Sequence, residues 1–577
     1  MDNNTWNISG SLADYEINHK DGQYFIRYRV EKLKNQPYIA FTSSRDPGKE
    51  AARICGNFIL KKGLVAVVTG AGAIKLLEIL KNQQEENGGD IIVFEADEKL
   101  LESLKQIIPE LYEKLTVITP ANNTLEKVIE GYPVENMLGY RVLILAQSYN
   151  LAQDYYKSMD MAFKAAFSTR LSDLLTRIEF EGRWILNGIL NLSRLFNAVP
   201  VSAIYNCASG ENALLVSSGP SLRSSLSWLK ENKDRYFITC VDSAWRVLHR
   251  AGIVPHLIFT LDSQIFTKRH FQGLPDGKKG HFPVLYADMI SNPPVLRDWT
   301  GPIIYGMTAH FSENRRAVTP GCDFIEDNFL LHPCGDLQSG GSVATSLFDL
   351  LRTMNFKTIT LVGQDLAFTN REIHSSGTHH SDMWLSKNLH RLDSLENINN
   401  KVLKKRHISW SKSIQGRLLP EDYIFSVYRK WFEESISQLA LRVMNATYDG
   451  ALICGAKSLE IPRVNLSERF VGRFKETVFE NTLLWINKKK VSEFFKEILE
   501  WKTNENNINF VNLPFMDRIG KKYLIKYLRN KLKNENSFDE KADLLLKMQK
   551  KEQIIFFKML KKRINSLVFR ENHLQQK

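Results

Sequence analysis

Residues 213–262 read ALLVSSGPSLRSSLSWLKENKDRYFITCVDSAWRVLHRAGIVPHLIFTLD. An apolar run, a Gly-Pro-Ser turn and an amphipathic stretch are followed twice by an apolar run that ends in an acid. The pattern predicts strand, turn, helix, strand, helix, strand. In a parallel α/β sheet, ligands bind at the carboxyl ends of the strands. Three successive strand ends here carry Ser218-Gly219-Pro220-Ser221, Asp242-Ser243 and Asp262-Ser263. Ligand contacts are therefore expected on one edge of one sheet.

The alternation continues outward. Strands are expected over 236–241, 257–261, 284–287, 303–305 and 358–362, which implies βαβ units and a largely parallel sheet. Upstream, β-like segments at 23–30 and 37–43 precede a strand at 64–68, a Thr69-Gly70-Ala71-Gly72 turn, a helix from about 74, and a strand at 91–94 ending in Glu95. Strands at 115–118 and 141–145 and a helix over 153–196 complete that part. Beyond 465, apolar residues recur at helical spacing among lysines. Positions 543, 544, 547, 551, 554 and 558 do not share one stripe, so helices are expected but no coiled coil; 504–509 reads as a loop. The fold class is α/β in three parts: an N-terminal Rossmann-like domain (1–200), a central Rossmann-like parallel sheet (201–462) and a basic, all-helical C-terminal domain (463–577).

A chain of 577 residues accommodates several domains, and 43% hydrophobic with 24% charged residues is ordinary for a globular protein. No uncharged apolar run reaches the ~18 residues of a membrane span. The polar, acidic start lacks the features of a secretory signal. The six cysteines are scattered without a Cys-x-x-Cys pair, which argues against a disulfide framework and a zinc site. Together these predict a cytoplasmic protein. The net charge of +13 is concentrated near the C-terminus, in runs such as Lys488-Lys489-Lys490 and Lys561-Lys562-Arg563. Such runs grip acidic partners or simply face water.

Five constellations carry candidate chemistry. In Ser218-Gly219-Pro220-Ser221, glycine admits close backbone approach, proline preorganises the first helical turn, and Ser221 with the free N–H groups can bind an anion or cap the helix. Asp242-Ser243 and Asp262 suit ribose hydroxyls or a metal ion, with helix capping as the alternative. Ser339-Gly340-Gly341-Ser342 is a second Gly-rich loop before an apolar helix over 344–351. Gly363-Gln364-Asp365 follows the strand at 358–362. His374, His379 and His380 come next, as acid/base groups, metal ligands or a solvated loop. In the first part, Gly70-Ala71-Gly72 with Glu95 and Asp97 mimics a dinucleotide or adenosylmethionine pocket, but Lys75 stands where the third glycine of that fingerprint would fall.

The segments SSGPSL (217–222), CVDSAWRVLHRAGIVPHLIFTLD (240–262), SGGSVATSLFDLLRTMNFKTITLVGQDLAF (339–368) and THHSD (378–382) occur in the order found in the motility accessory factor (Maf) family of flagellin glycosyltransferases. The central part resembles that family. It is also similar to archaeal 6-hydroxymethylpterin diphosphokinases and, more distantly, to sialyltransferases that use CMP-sugars. The resemblance implies transfer of a nonulosonic acid, of pseudaminic or legionaminic type, from a CMP donor to Ser or Thr of flagellin. By motif position, Gly219, Ser221, Asp242, Ser243 and Asp262 would line the nucleotide site. Ser339, Gly340, Gly341 and Ser342 would contact CMP or the sugar carboxylate, with Gln364 and Asp365 beside them. His256 and Asp449-Gly450 depart from the family pattern; the first would alter a surface turn, and the second bears on the loop before the C-terminal helices.

The expected reaction displaces CMP directly at the anomeric carbon, with His374 or His379 as base and Asp365 as rival or orienting group. Backbone N–H groups of the Gly-rich helix starts would stabilise the phosphate, so no metal is expected to be required, Mg²⁺ being the alternative. Flagellin and the CMP-sugar are the expected partners; nucleic acid is not, and the oligomeric state is left open. A pterin diphosphokinase-like enzyme and a non-catalytic flagellin-binding or chaperone-like protein are the competing readings.

Overall fold

Strands that are apolar at nearly every position, without alternation, must be covered on both faces, and the central strands are of this kind. In the computed structural model, NALLV (Asn212–Val216), FITCV (Phe237–Val241), LIFT (Leu257–Thr260), VLYAD (Val284–Asp288) and TITLV (Thr358–Val362) are buried almost throughout. The structure describes residues 4–8, 12–29, 38–43, 45–122, 125–132, 137–275, 281–312, 315–319, 321–386, 394–438, 442–480, 483–500, 514–526 and 539–575. The loop expected at 504–509 lies outside the described residues.

The chain divides into two compact units, 1–180 with 520–553 and 181–519 with 554–577. This differs from three consecutive parts. The C-terminal region is helical as expected, but its helices belong to both units because their apolar faces are core. Phe470 and Phe474 of helix Glu468–Phe479 and Phe494 of helix Lys488–Glu500 are buried in the same cluster as the central strands.

In the first unit, four parallel strands lie in the order Thr116–Ile118, Asp90–Phe94, Leu64–Thr69, Gly139–Ile144. The β-like segments near the start form a separate antiparallel sheet of Asn4–Ile8, Tyr15–Lys20, Gln23–Arg29 and Tyr38–Ala40.

In the second unit an 11-stranded sheet carries the site. From Asn212–Val216 the chain steps outward through Phe237–Val241, Leu257–Thr260 and Val284–Asp288 to Ile303–Ser312, each parallel to the last. It then returns to lay Thr358–Val362 on the other side of Asn212–Val216, followed by Arg442–Asn445. Direction of winding therefore reverses between Asn212–Val216 and Thr358–Val362, and this reversal opens a crevice at their carboxyl ends. Phe237, at the amino end of its strand, packs against Phe470 and Phe474 at centroid distances of 5.5 and 5.0 Å, so helix Glu468–Phe479 closes the opposite edge. His256 also belongs to that edge. Its Nδ1 accepts from Ile238 N at 3.0 Å and its ring stacks on Phe237, so it is a packed residue and not part of a surface turn.

Helix Gln153–Asn191 supplies a further brace to this unit through its last residues. Asn187 Nδ2 donates to the carbonyls of Ser263 and Ile290 (3.0 and 2.9 Å), and Asn191 Nδ2 donates to those of Met289 and Ser291 (both 2.8 Å). The loops after two central strands are thereby tied to one helix face. The predicted 153–196 helix ends at Asn191, where a 3₁₀ turn (Leu192–Asn197) takes over. Among the described residues, no helix is long and apolar enough to cross a membrane.

Candidate functional site

The crevice is assembled from the two strand ends that flank the reversal. Ser217 N donates to Val362 O (2.8 Å) and Gly219 N to Gly363 O (2.9 Å), which continues the ladder past both strands. Ser217 Oγ is hydrogen-bonded to Gln364 Oε1, and Gln364 N donates to Thr447 Oγ1 (3.2 Å). A Cβ at Gly219 would overlap Asp365 Oδ1 and stand 2.5 Å from Gly363 O, so only glycine fits where the two segments cross.

The sequence leaves two roles for Ser221, binding an anion with the free N–H groups or capping its helix. Its side chain makes no capping bond. Instead Ser221 N and Oγ both donate to the Asp365 carboxylate, at 3.0 and 2.7 Å. The helix start therefore holds an anion supplied 144 residues downstream in its own chain. Gly450 presses on the other side, where a Cβ would lie 2.7 Å from Asp365 Cα and O, and Ala451 N donates to Asp365 O (2.7 Å). Burial pushes the Asp365 carboxyl up to about 7, against the Ser221 hydrogen bonds and helped by the charge of Asp449.

The next two acids are also committed. Asp242 accepts from Thr260 Oγ1 and Ser243 N, both at 2.7 Å, and burial raises its carboxyl to about 7. Asp288 repeats the device, accepting Thr308 Oγ1 at 2.7 Å. Each ties its strand end to the next strand. Asp262 Oδ1 accepts Gln264 N (2.9 Å), a local turn bond. The Ser218 and Ser243 hydroxyls are hydrogen-bonded to each other at 2.8 Å past the ends of Asn212–Val216 and Phe237–Val241.

The Ser339–Ser342 loop follows strand Asp336–Gln338, which runs parallel to Ile303–Ser312, so the loop reaches the same sheet edge. Its N–H groups are used internally. Gly340 N and Ser342 N donate to Thr345 Oγ1 (3.0 and 3.2 Å), Gly341 N donates to Ser339 Oγ (3.1 Å), and Ser342 Oγ caps helix Val343–Thr353 at Thr345 N. A Cβ at Gly340 would penetrate the Trp431 ring, 2.6 Å from Cδ2. Packing under an aromatic ring is thus a sufficient reason for that glycine.

The histidines stand over the crevice. Ser375 N donates to Ser218 O (2.9 Å), which fixes His374 beside the first turn. His379 and His380 open helix His379–Ser386, so of the alternatives left open by the sequence the solvated loop does not describe them. His270, which the sequence reading missed, joins them; its only signal was the basic run Lys268-Arg269-His270. Burial, then the charge of its neighbours, pushes His374 down to about 4 and His270 to about 3. Among the described residues, no group of three or more His, Cys, Asp or Glu is arranged to hold a metal ion.

The pocket mimic of the first unit is filled by its own chain. Ala71 N donates to Glu95 Oε2 (2.6 Å) and Asp97 N to Glu95 Oε1 (2.8 Å), while Asp97 caps helix Glu98–Ile107. Ser148 and Phe41 occupy the space that side chains at Gly70 and Gly72 would need. Burial raises the Glu95 carboxyl to about 7.

Residues 187–371 match the family described as MptE-like, 6-hydroxymethylpterin diphosphokinase MptE-like. An uncharacterised protein of Treponema pallidum (strain Nichols) is 26% identical over 200 residues, 33% of this chain and 66% of that protein. A second from the same organism is 24% identical over 105 residues, 18% of this chain and 49% of that protein. The chain thus spans less than two thirds of the length of these relatives. Among solved structures, a Maf glycosyltransferase from Magnetospirillum magneticum AMB-1 is similar, with a TM-score of 0.53 and 12% identity over 95% of this chain and 90% of that chain. The resemblance drawn from the sequence motifs therefore holds at the level of fold: an MptE-like domain at the centre of a chain folded like that glycosyltransferase.

Proposed function

We propose that the chain is a glycosyltransferase that moves a nonulosonic acid from a CMP-sugar to a Ser or Thr hydroxyl of flagellin. The observation that carries this reading is the crevice at the winding reversal, where Ser217–Ser221 and Gly363–Asp365 interlock in an MptE-like domain on a Maf glycosyltransferase-like fold. In the reaction the anomeric carbon–phosphate oxygen bond breaks, the acceptor oxygen forms the new bond to that carbon, and CMP leaves with the electron pair. The acceptor proton passes to a base.

His374 is the base in this reading. It is neutral at pH 7 because burial holds its pKa near 4, and it sits beside Ser218 through the Ser375 hydrogen bond. Asp365 has the better-matched pKa, but both its oxygens already accept from Ser221, which suits an orienting role. The turn N–H groups of Gly219 and Ser221 are occupied, so the donor sugar would be met by the hydrogen-bonded Ser218–Ser243 hydroxyl pair, which has one hydroxyl proton left to donate. The test is purified protein with flagellin and a CMP-nonulosonate, read by the mass of flagellin. An added mass equal to the sugar less one water is expected, and it is expected to persist in excess EDTA. Unmodified flagellin under all conditions refutes the reading, and loss restored by Mg²⁺ refutes its metal-free form.

The family description of residues 187–371 favours one second reading, diphosphate transfer from ATP to a hydroxymethylpterin. That chemistry needs Mg²⁺, with Asp242 and Asp262 the candidate ligands; Asp242 already has both oxygens engaged by Thr260 and Ser243. Pterin pyrophosphorylation in the same preparation would establish it. Stable flagellin binding without either reaction would favour a chaperone-like role.

A further inference from the structure

Six basic side chains converge beside the crevice. Arg246 comes from helix Asp242–Arg250, Arg269 and His270 from Lys268–Phe271, and His374, His379 and His380 from the segment after Asp365. The His270 ring lies 5.2 Å from that of His380 and 6.2 Å from that of His379, and His374 stacks on His380 at 4.9 Å. The acid that faces them, Asp382, is already held by Arg250 at 2.8 and 3.2 Å. Arg246 spends Nη2 on the carbonyls of Arg269 and Gln272 (3.3 and 2.6 Å).

Three nitrogens of this cluster have nothing to bond. Arg246 Nε, His270 Nδ1 and His379 Nε2 are buried without a hydrogen-bond partner among the described residues. A buried polar group left unpaired is costly, and such groups in a native protein point to a missing water or ion. The histidines are held neutral by burial and by each other's charge, as expected where positive charge is in excess. A second observation points the same way. The turns that ordinarily receive an oxyanion are closed, Ser221 N by Asp365 and the Gly340–Ser342 amides by Thr345 and Ser339. An anionic substrate in the crevice would find the unpaired nitrogens of Arg246, His270 and His379 in the cluster instead.

We propose that the Arg246–His270–His379 cluster is an oxyanion subsite, which receives the phosphate or carboxylate of an anionic substrate lying in the crevice. It rests on the reading of the crevice as a sugar-nucleotide site. The two sources differ in chemistry, and so do the probes. Sulfate stands for phosphate and keeps a constant charge between pH 5 and 8; acetate stands for carboxylate.

The full chain is titrated with sodium sulfate, then with acetate, in a calorimeter at low ionic strength. One saturable site is expected for at least one of them. His270→Gln and His379→Gln are each expected to weaken it at least tenfold, whereas Lys230→Gln, exposed on helix Leu222–Asn232, leaves it unchanged. If His270→Gln does not fold, His379→Gln decides, because His379 is only partly buried. Tighter sulfate assigns the cluster to phosphate and tighter acetate to carboxylate; both support the subsite. No saturable binding of either anion, or binding that the variants retain, overturns it. Flagellin modification without an anion site removes the subsite alone, and an anion site without modification removes the glycosyltransferase reading alone.

Discussion

Replacing Asp365 by Asn tests whether a buried carboxyl at the crevice carries an ionisation cost. Asp365 is only 2% exposed, and both its oxygens accept from Ser221. Asn keeps that geometry, since its Oδ1 can accept from Ser221 N while its Nδ2 donates to Ser221 Oγ. The charge is what changes. The folded-state pKa is raised from 3.8 to about 7, so between those values the folded protein binds a proton that the unfolded chain has lost. The wild type must then lose stability relative to the variant as pH rises from about 4 to about 7, and no further above that. About three pKa units at 1.36 kcal/mol each give a total of about 4 kcal/mol. Asp242 and Asp288 are present in both proteins and cancel in the difference.

Urea unfolding of both proteins at several pH values, followed by tryptophan emission, measures it. All tryptophans except Trp6 belong to the unit that contains the crevice, so emission reports that unit and avoids assuming one transition for the whole chain. The stability gap, variant minus wild type, should widen by roughly 2–3 kcal/mol between pH 5 and pH 8. A gap that stays constant over that range refutes the argument that burial of this carboxyl is costly, whatever its absolute size.

Three further outcomes are expected. Gly340→Ala drives a methyl into the Trp431 ring and should destabilise the central unit by about 1–3 kcal/mol; a double-mutant cycle with Trp431→Leu should recover most of it. His374→Gln should lower kcat for sugar transfer by about 10²–10⁴ without changing the fold, and wild-type kcat/KM should stay level from pH 8 to about 5; a decline already below pH 7 would give the base role to Asp365. The first unit should bind neither NAD nor S-adenosylmethionine in calorimetry, because Glu95 occupies Ala71 N; saturable heat from either ligand would contradict this.

The strands and their turns were legible because doubly covered parallel strands are nearly continuous apolar runs that end abruptly in polar residues, as at Val216-Ser217 and Val241-Asp242. The location of the crevice was not legible. It depends on Thr358–Val362 returning to pair with Asn212–Val216, and local sequence does not encode strand order. The same holds for the partners of the polar residues. Ser221 reads as a cap and Asp242 as a ribose acceptor in isolation, whereas their bonds go to Asp365 and Thr260, brought close by folding. Gly340 reads as a phosphate loop, and the Trp431 ring that explains it lies in a distant helix. Arg246 sits in the 240–262 segment and His270 in a basic run without either pattern giving them a role, so their convergence with His379 and His380 is what marks them.

The carboxylates lodged at Ala71 and Ser221 also set a threshold for any free anion that would use those turns. A tethered group competes at an effective concentration of at least the millimolar range, and a group already fixed in place by folding competes at more. A free anion would have to exceed that level to displace Glu95 or Asp365 by mass action, so each turn behaves as a receptor with its ligand already attached.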